Sequence, residues 1–367
     1  MNSLERIATL GQRIWHDGMS RELMTSGGLR ALIASGVRGV TANPTIFAKA
    51  ILEGQQYDAD IHTLRTSGMA PAAVVRQLLV TDAQLAADAL RGVYDRSLAE
   101  DGYVTIGVAP ALAQDVEATV TEAKLLWAAV GRPNVLIGIP ASEAGCTAMR
   151  EVLRLGINVN ATLIFAPHSY DRVAAAYMGA LEDRLADGKS IDRVASVASV
   201  FVSRVDVAID GLLRAQLEAA PAAEAKRLKT LLGRAGMANA QRLYRRYKDL
   251  FRGKGFARLR SRGARPQWPL WASTGSPDAN YSATWYIDRL IGPDTINAIP
   301  PTTLAAVLAH TRPRALLEGE MAQAQLVLEG LRREGVDLPQ LLDTLLDQGL
   351  ESALASYHAI IAHLADK

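Results

Sequence analysis

The sequence predicts one closed (β/α)8 barrel. Three observations carry that prediction: eight short β-rich runs, a helical pattern after most of them, and no Gly/Ser-rich linker dividing the chain. The chain begins MNSLERIATLGQRIW, with apolar residues at 4, 7, 10 and 14 and charges between them. That spacing predicts an amphipathic helix and lacks the apolar block of a signal peptide. Arg13–Asp17 then reads as the first strand, followed by Val37–Thr41, Tyr103–Val108, Asn134–Ile139, Ile157–Phe165, Ser199–Ser203, Pro269–Ser273 and Thr295–Ile299. Asp115–Val130, Gly145–Leu155 and Ser169–Leu185 have helical periodicity. The chain therefore reads as a single domain over 1–367. A helical insertion is expected at about 207–265, with Ala223–Phe251 as its core, and C-terminal helices at about 301–367, broken near Pro313 between Arg312 and Arg314.

Composition narrows the function classes. With 49% hydrophobic and 21% charged residues, the chain is ordinary for a globular protein, which excludes disordered and fibrous classes. Forty basic residues against thirty-eight acidic ones give a net charge of +2, so no overall field draws the protein to nucleic acid or to a membrane surface. No stretch approaches the roughly 18 apolar residues of a membrane span. The single cysteine, Cys146, cannot form an internal disulfide, and no Cys/His cluster has zinc spacing. A soluble, cytoplasmic protein is expected, without a metal or cofactor and with its oligomeric state open.

In a barrel of this kind the site lies at the C-terminal ends of the strands, and alternation says which residues face the axis. Val104, Ile106 and Val108 form the apolar outward set of the third strand, which leaves Tyr103, Thr105 and Gly107 inward. In the fourth strand Ile137 and Ile139 point outward and Gly138 inward. Asn158, Asn160 and Thr162 share one face of the fifth. These polar groups need hydrogen-bond partners, which either a ligand or a water-satisfied barrel layer would supply.

At these residues the sequence resembles the transaldolase family in its longer bacterial form. The resemblance rests on IWHDGMSR (14–21), GVTANPTIF (39–47), VAPALAQD (108–115), IPASEAG (139–145), GINVNATLIF (156–165), ASVFVSRVD (198–206), GRAGMANAQ (233–241), LWASTG (270–275) and LIGPDTIN (290–297). It implies a TIM barrel of the class I aldolase type, whose lysine Schiff base moves a dihydroxyacetone unit between sugar phosphates. Matched to the family's motifs, Asp17, Asn43, Asn160 and Thr162 take catalytic positions. Ser199, Phe201, Arg204 and Ser273 take substrate and phosphate positions.

The resemblance also exposes departures. The Schiff-base lysine belongs at the second position of an IKIPAT-like motif, and this chain has Gly138 there. The glutamate belongs before a VSP-like turn, and this chain has Gly107. Glycine offers neither nucleophile nor acid nor base, so ordinary transaldolase chemistry is expected to fail. Lys49, Lys124, Lys189, Lys226, Lys229, Lys248, Lys254 and Lys367 all read as helix, loop or tail residues, none placed to reach the axis. Beyond Ser273 the family's usual STGTKNP becomes STGSPD, with Pro277 and Asp278, and the second hydroxyl of the TTNPTIF-like motif is lost at Ala42. Two long side chains replaced by glycines on neighbouring strands should leave a hole, filled by water or by a bulkier ligand.

Further candidates carry two readings each. His16 sits beside Asp17 with opposite parity, which favours packing. His168 and Tyr170 follow the fifth strand and read as possible mouth residues. Cys146 and Glu143 open the next helix after the fourth strand, where a lowered thiol pKa competes with simple burial. Between Arg242 and Arg265, ten basic residues face one acid, with Tyr244, Tyr247, Phe251 and Phe256 interleaved. That composition is met in nucleic-acid binders, but the spacing fits a helix that buries its aromatics. The expected partner is a small phosphorylated or sugar-like ligand, not nucleic acid or membrane. Three functions remain open: an enzyme repurposed for non-Schiff-base lyase, isomerase or transferase chemistry, an inactive binder of a sugar phosphate or partner protein, and a working transaldolase.

Overall fold

The computed structural model describes residues 1–276, 278, 281–309, 313–319 and 321–366. Parallel strands β1 (Gln12–Asp17), β2 (Val40–Thr41), β3 (Val104–Gly107), β4 (Val135–Pro140), β5 (Val159–Ile164), β6 (Ser196–Phe201), β7 (Trp268–Ala272) and β8 (Thr295–Ile299) close in sequence order, with β8 pairing back onto β1. The predicted barrel is present. β6 begins three residues earlier than the periodicity suggested, and it ends at Phe201 because Ser203 already starts the Ser203–Leu217 helix.

Parity runs as expected through most of the barrel. Val104, Ile106, Val135, Ile137, Ile139, Val159 and Ala161 pack against the outer helices in the main core. Trp15, Tyr103, Leu136, Leu270 and Ile296 fill the lower barrel. Val108, one residue past the end of β3, packs in the main core as its parity predicts and also borders the cavity.

The expected helix Ala223–Phe251 is instead Ala222–Leu231 followed by Ala235–Tyr247. The break falls at Gly233, whose φ of +66° suits glycine. Two buried carboxylates of the Ser203–Leu217 helix hold the second piece. Asp210 accepts from the Gly233 amide at 2.9 Å, and Asp206 accepts from the Gly236 amide at 2.8 Å and from the Tyr286 hydroxyl at 2.8 Å. Burial, the dominant cause, pushes Asp206 up to about 7 against the opposing pull of its donors. A carboxyl that holds its proton more tightly when folded makes stability fall as pH rises from about 4 through about 7. Thermal unfolding of Asp206→Asn should therefore fall less over that range than the wild type, by a Tm difference of several degrees. Equal slopes would contradict this assignment.

Residues 242–265 follow the packing reading. Tyr244, Tyr247, Phe251 and Phe256 are buried, with Tyr247 stacked between Tyr244 and Phe251. Arg246, Lys248 and Arg252 pair with Asp171, Glu318 and Asp294. Residues 310–312, within the expected break at Pro313, lie outside the described residues, as do Pro277 and Lys367.

The long helix Leu338–Asp366 crosses the barrel mouth, packing on Pro44–Leu52, Pro71–Arg96, the Pro110–Leu112 turn and β5. Gly349 permits the close approach, since a Cβ there would lie 2.9 Å from Leu163 Cδ2 and 3.6 Å from Arg204 Nη1. Among the described residues, no helix is long and apolar enough to cross a membrane.

Candidate functional site

A cavity of about 580 Å3 opens at the C-terminal ends of the strands beneath this helix. Thr105, Gly107, Gly138 and Asn160 line its deep end. Gly107 pairs with Gly138 and Gly138 with Asn160, so the two glycines lie side by side. A Cβ on Gly107 would meet only the Gly138 carbonyl oxygen, at 3.9 Å, whereas one on Gly138 would lie 3.2 Å from Gly107 Cα. The space above them is real, and Gly107 gives the freer access to it.

Asp17 ends β1 on one wall. It accepts from Thr41 Oγ1 at 2.8 Å and from Asn43 Nδ2 at 3.2 Å. Asn43 is fixed in turn because its Oδ1 caps the Pro44–Leu52 helix, accepting from the amides of Thr45 and Ile46. Burial raises the Asp17 pKa above the usual carboxylate value, and the Thr41 and Asn43 hydrogen bonds oppose it. A carboxyl so tuned can take up or release a proton.

On the opposite wall Ser199 Oγ donates to Asn160 Oδ1 at 2.7 Å, and Asn160 Nδ2 donates to Thr105 Oγ1 at 3.3 Å. Thr162 lies above them on the cavity wall. Asn158, one layer lower, is satisfied by backbone: its amide donates to Pro133 and Val135 and accepts from Ala195. For the lower polar residues of β5, protein partners answer the question that alternation left open.

Arg204 stands at the third side, in the first turn of the Ser203–Leu217 helix. Its guanidinium carbon lies 5.4 Å from the Phe201 ring centroid, and Phe201 packs on Phe165 at 5.5 Å. Among the described residues no carboxylate pairs with it, and burial lowers its pKa. A half-buried guanidinium facing open space can hold an anion with two charge-assisted bonds. Ser273 adjoins it, its Oγ 2.9 Å from Ser203 Oγ. Ser273 and Leu163 both hold positive φ, +55° and +57°, and both line the cavity. Leu163 sits at the register shift in β5 between Ala161 and Ile164. Left-handed backbone at a leucine is strained, and strain of this kind gathers at binding sites.

Several sequence candidates stand elsewhere. Tyr170 is not a mouth residue: the helix Pro167–Ala186 starts earlier than expected and turns it into the main core, 0% exposed. His168 is exposed on that helix and pairs with Asp343 at 2.9 Å, tying it to the C-terminal helix rather than lining the cavity. His16 is buried off the axis. Cys146 is buried too, and burial raises its thiol pKa rather than lowering it. Asp278 pairs with Arg214. No lysine is among the described cavity-lining residues, and no described cluster of three or more His, Cys, Asp or Glu could hold a metal ion.

The sequence reading missed the part of the cavity wall formed by Phe47, Val75, Arg76, Leu79, Glu122, Leu126, Tyr357 and Ile360. These residues come from four separate helices, and no local motif announces that they meet.

The profile of the family described as transaldolase/fructose-6-phosphate aldolase matches residues 14–364. The chain is 40% identical to transaldolase 2 of Nostoc sp., covering 100% of this chain and 98% of the relative. It is 40% identical to the transaldolase of Thiobacillus denitrificans over 99% of this chain and 100% of that one. Against transaldolase 1 of Streptomyces avermitilis the identity is 42%, over 95% and 91%.

Proposed function

The chain belongs to the transaldolase/fructose-6-phosphate aldolase family, and from that premise we propose that it binds a sugar-phosphate-type ligand at the barrel mouth and acts on it without a Schiff base. The observation that carries this reading is Arg204, a cavity-facing guanidinium with no carboxylate partner among the described residues. In this reading Arg204 and Ser273 hold the anion, Phe201 flanks it, and Asn160, Thr162 and Ser199 orient hydroxyls. Asp17, held by Thr41 and Asn43, moves a proton on the ligand, in lyase, isomerase or transferase chemistry. Gly138 and Gly107 stand where the resemblance expects lysine and glutamate, so no imine forms and Asp17 is the titratable group left at the deep end.

A second reading, an inactive binder, is favoured by the same two glycines, which leave one carboxylate to do both halves of any acid–base step. The two readings part at Asp17.

Fructose 6-phosphate should raise the Tm of the wild type, and Arg204→Met should weaken its binding by about a hundredfold, the loss expected for a charge-assisted pair. Asp17→Asn should keep the binding and abolish any turnover found by incubating sugar phosphates with the protein and following them by NMR. Unchanged affinity in Arg204→Met would overturn the ligand reading. A wild type that binds sugar phosphates but leaves all of them unaltered would favour the inactive binder.

A further inference from the structure

We propose that the natural ligand carries an apolar arm, a short alkyl or aryl group of about six carbons attached to the sugar-phosphate head, seated in a second lobe of the same cavity. The inference rests on the ligand reading above and extends it to substrate class. The cavity does not stop at Asp17 and Arg204. It continues between the Pro44–Leu52, Pro71–Arg96, Val116–Val130 and Leu338–Asp366 helices, where Phe47, Val75, Leu79, Leu126 and Ile360 line it.

These five side chains are apolar, and Phe47, Val75, Leu126 and Ile360 are buried; Arg76, Glu122 and Tyr357 share the wall with them. Water held against the apolar part of this wall finds few hydrogen-bond partners, so an apolar group gains by displacing it. The head-end walls are the reverse, with Asp17, Asn160 and Arg204 offering a carboxyl, an amide and a cation. The side chain of Arg76 adds no free cation to the apolar lobe, because its Nε donates to Glu122 Oε1 at 2.8 Å. One continuous space with a polar, cationic end and an apolar end fits one amphiphilic molecule, and a bare sugar phosphate would leave the second lobe unused.

Isothermal titration of the full chain with glucose 6-phosphate, hexyl β-glucoside 6-phosphate and hexanol tests this. The hexyl compound should bind at least about tenfold more tightly than glucose 6-phosphate, since each buried methylene adds affinity. Leu79→Trp, which fills the lobe from a half-buried position, should erase that gain and leave glucose 6-phosphate binding unchanged. Val75→Thr, which exchanges one wall methyl for a hydroxyl, should reduce the gain and serves if the tryptophan variant does not fold. Equal affinity for the two phosphates, or a gain that survives both substitutions, would overturn the arm and leave the head reading standing. Saturable hexanol binding lost in Leu79→Trp, with neither phosphate bound, would support the apolar lobe and overturn the head reading. No binding of any of the three would overturn both.

Discussion

Borohydride reduction in the presence of fructose 6-phosphate is expected to leave the intact mass of the protein unchanged. Trapping needs an unprotonated amine within bonding distance of the ligand carbonyl. No lysine is among the described residues that line the cavity, and the deep end carries Gly107 and Gly138 side by side. Gly138→Lys should create the missing amine. Its Cβ would lie 3.2 Å from Gly107 Cα, so the two strands must part by a few tenths of an ångström, and a lysine there should fold with a modest loss of stability. The Cβ of Gly107→Glu would meet nothing closer than 3.9 Å, so that substitution can accompany it. The double variant should gain a reducible adduct mapped to residue 138. An adduct on any lysine of the wild type would contradict this account.

The second large effect is expected at Gly107. Gly107→Leu places an isobutyl group in open cavity, so stability should change by no more than about 0.5 kcal/mol, as for an exposed substitution. Ligand binding should fall by about tenfold or more, because the added volume occupies the space beside Asp17 and Asn160. Gly138→Leu should lose binding as well, at an extra cost of about 1 kcal/mol for the forced strand shift. Titration calorimetry beside thermal unfolding separates the two effects. A Gly107→Leu variant that unfolds, or that binds as the wild type does, would show that the space above the glycines is not the ligand's.

Strand parity made much of the barrel legible before any coordinates. Alternation put Thr105, Gly107 and Gly138 on the axis, and each lines the cavity. Alternation is a property of a few consecutive residues, so it survives ignorance of the rest of the chain. It holds even one residue past β3, where Val108 packs with Val104 and Ile106 in the outer core while bordering the cavity. Leu163 is a harder case, since nothing in an apolar run marks a leucine with φ of +57°.

Helix boundaries explain other differences. Tyr170 is expected at the mouth when the helix starts at Ser169, which leaves it in the first turn just after the loop. With the start at Pro167, a favoured first helical position, the helix carries the ring inward. Gly233 broke a helix that periodicity alone had continued. The apolar lobe was beyond the sequence altogether, because Phe47, Val75, Leu126 and Ile360 are far apart in the chain and meet only through helix packing across the mouth.

The central claim is that this barrel holds an anionic sugar-type ligand through Arg204 and forms no bond to it. A crystal structure of the protein soaked with fructose 6-phosphate tests that most directly. The phosphate should lie on the Arg204 guanidinium beside Ser273, with the ligand carbonyl carbon above Gly107 and Gly138 and bonded to no protein nitrogen. A phosphate bound away from Arg204, or a covalent link from the ligand to a lysine, would contradict it.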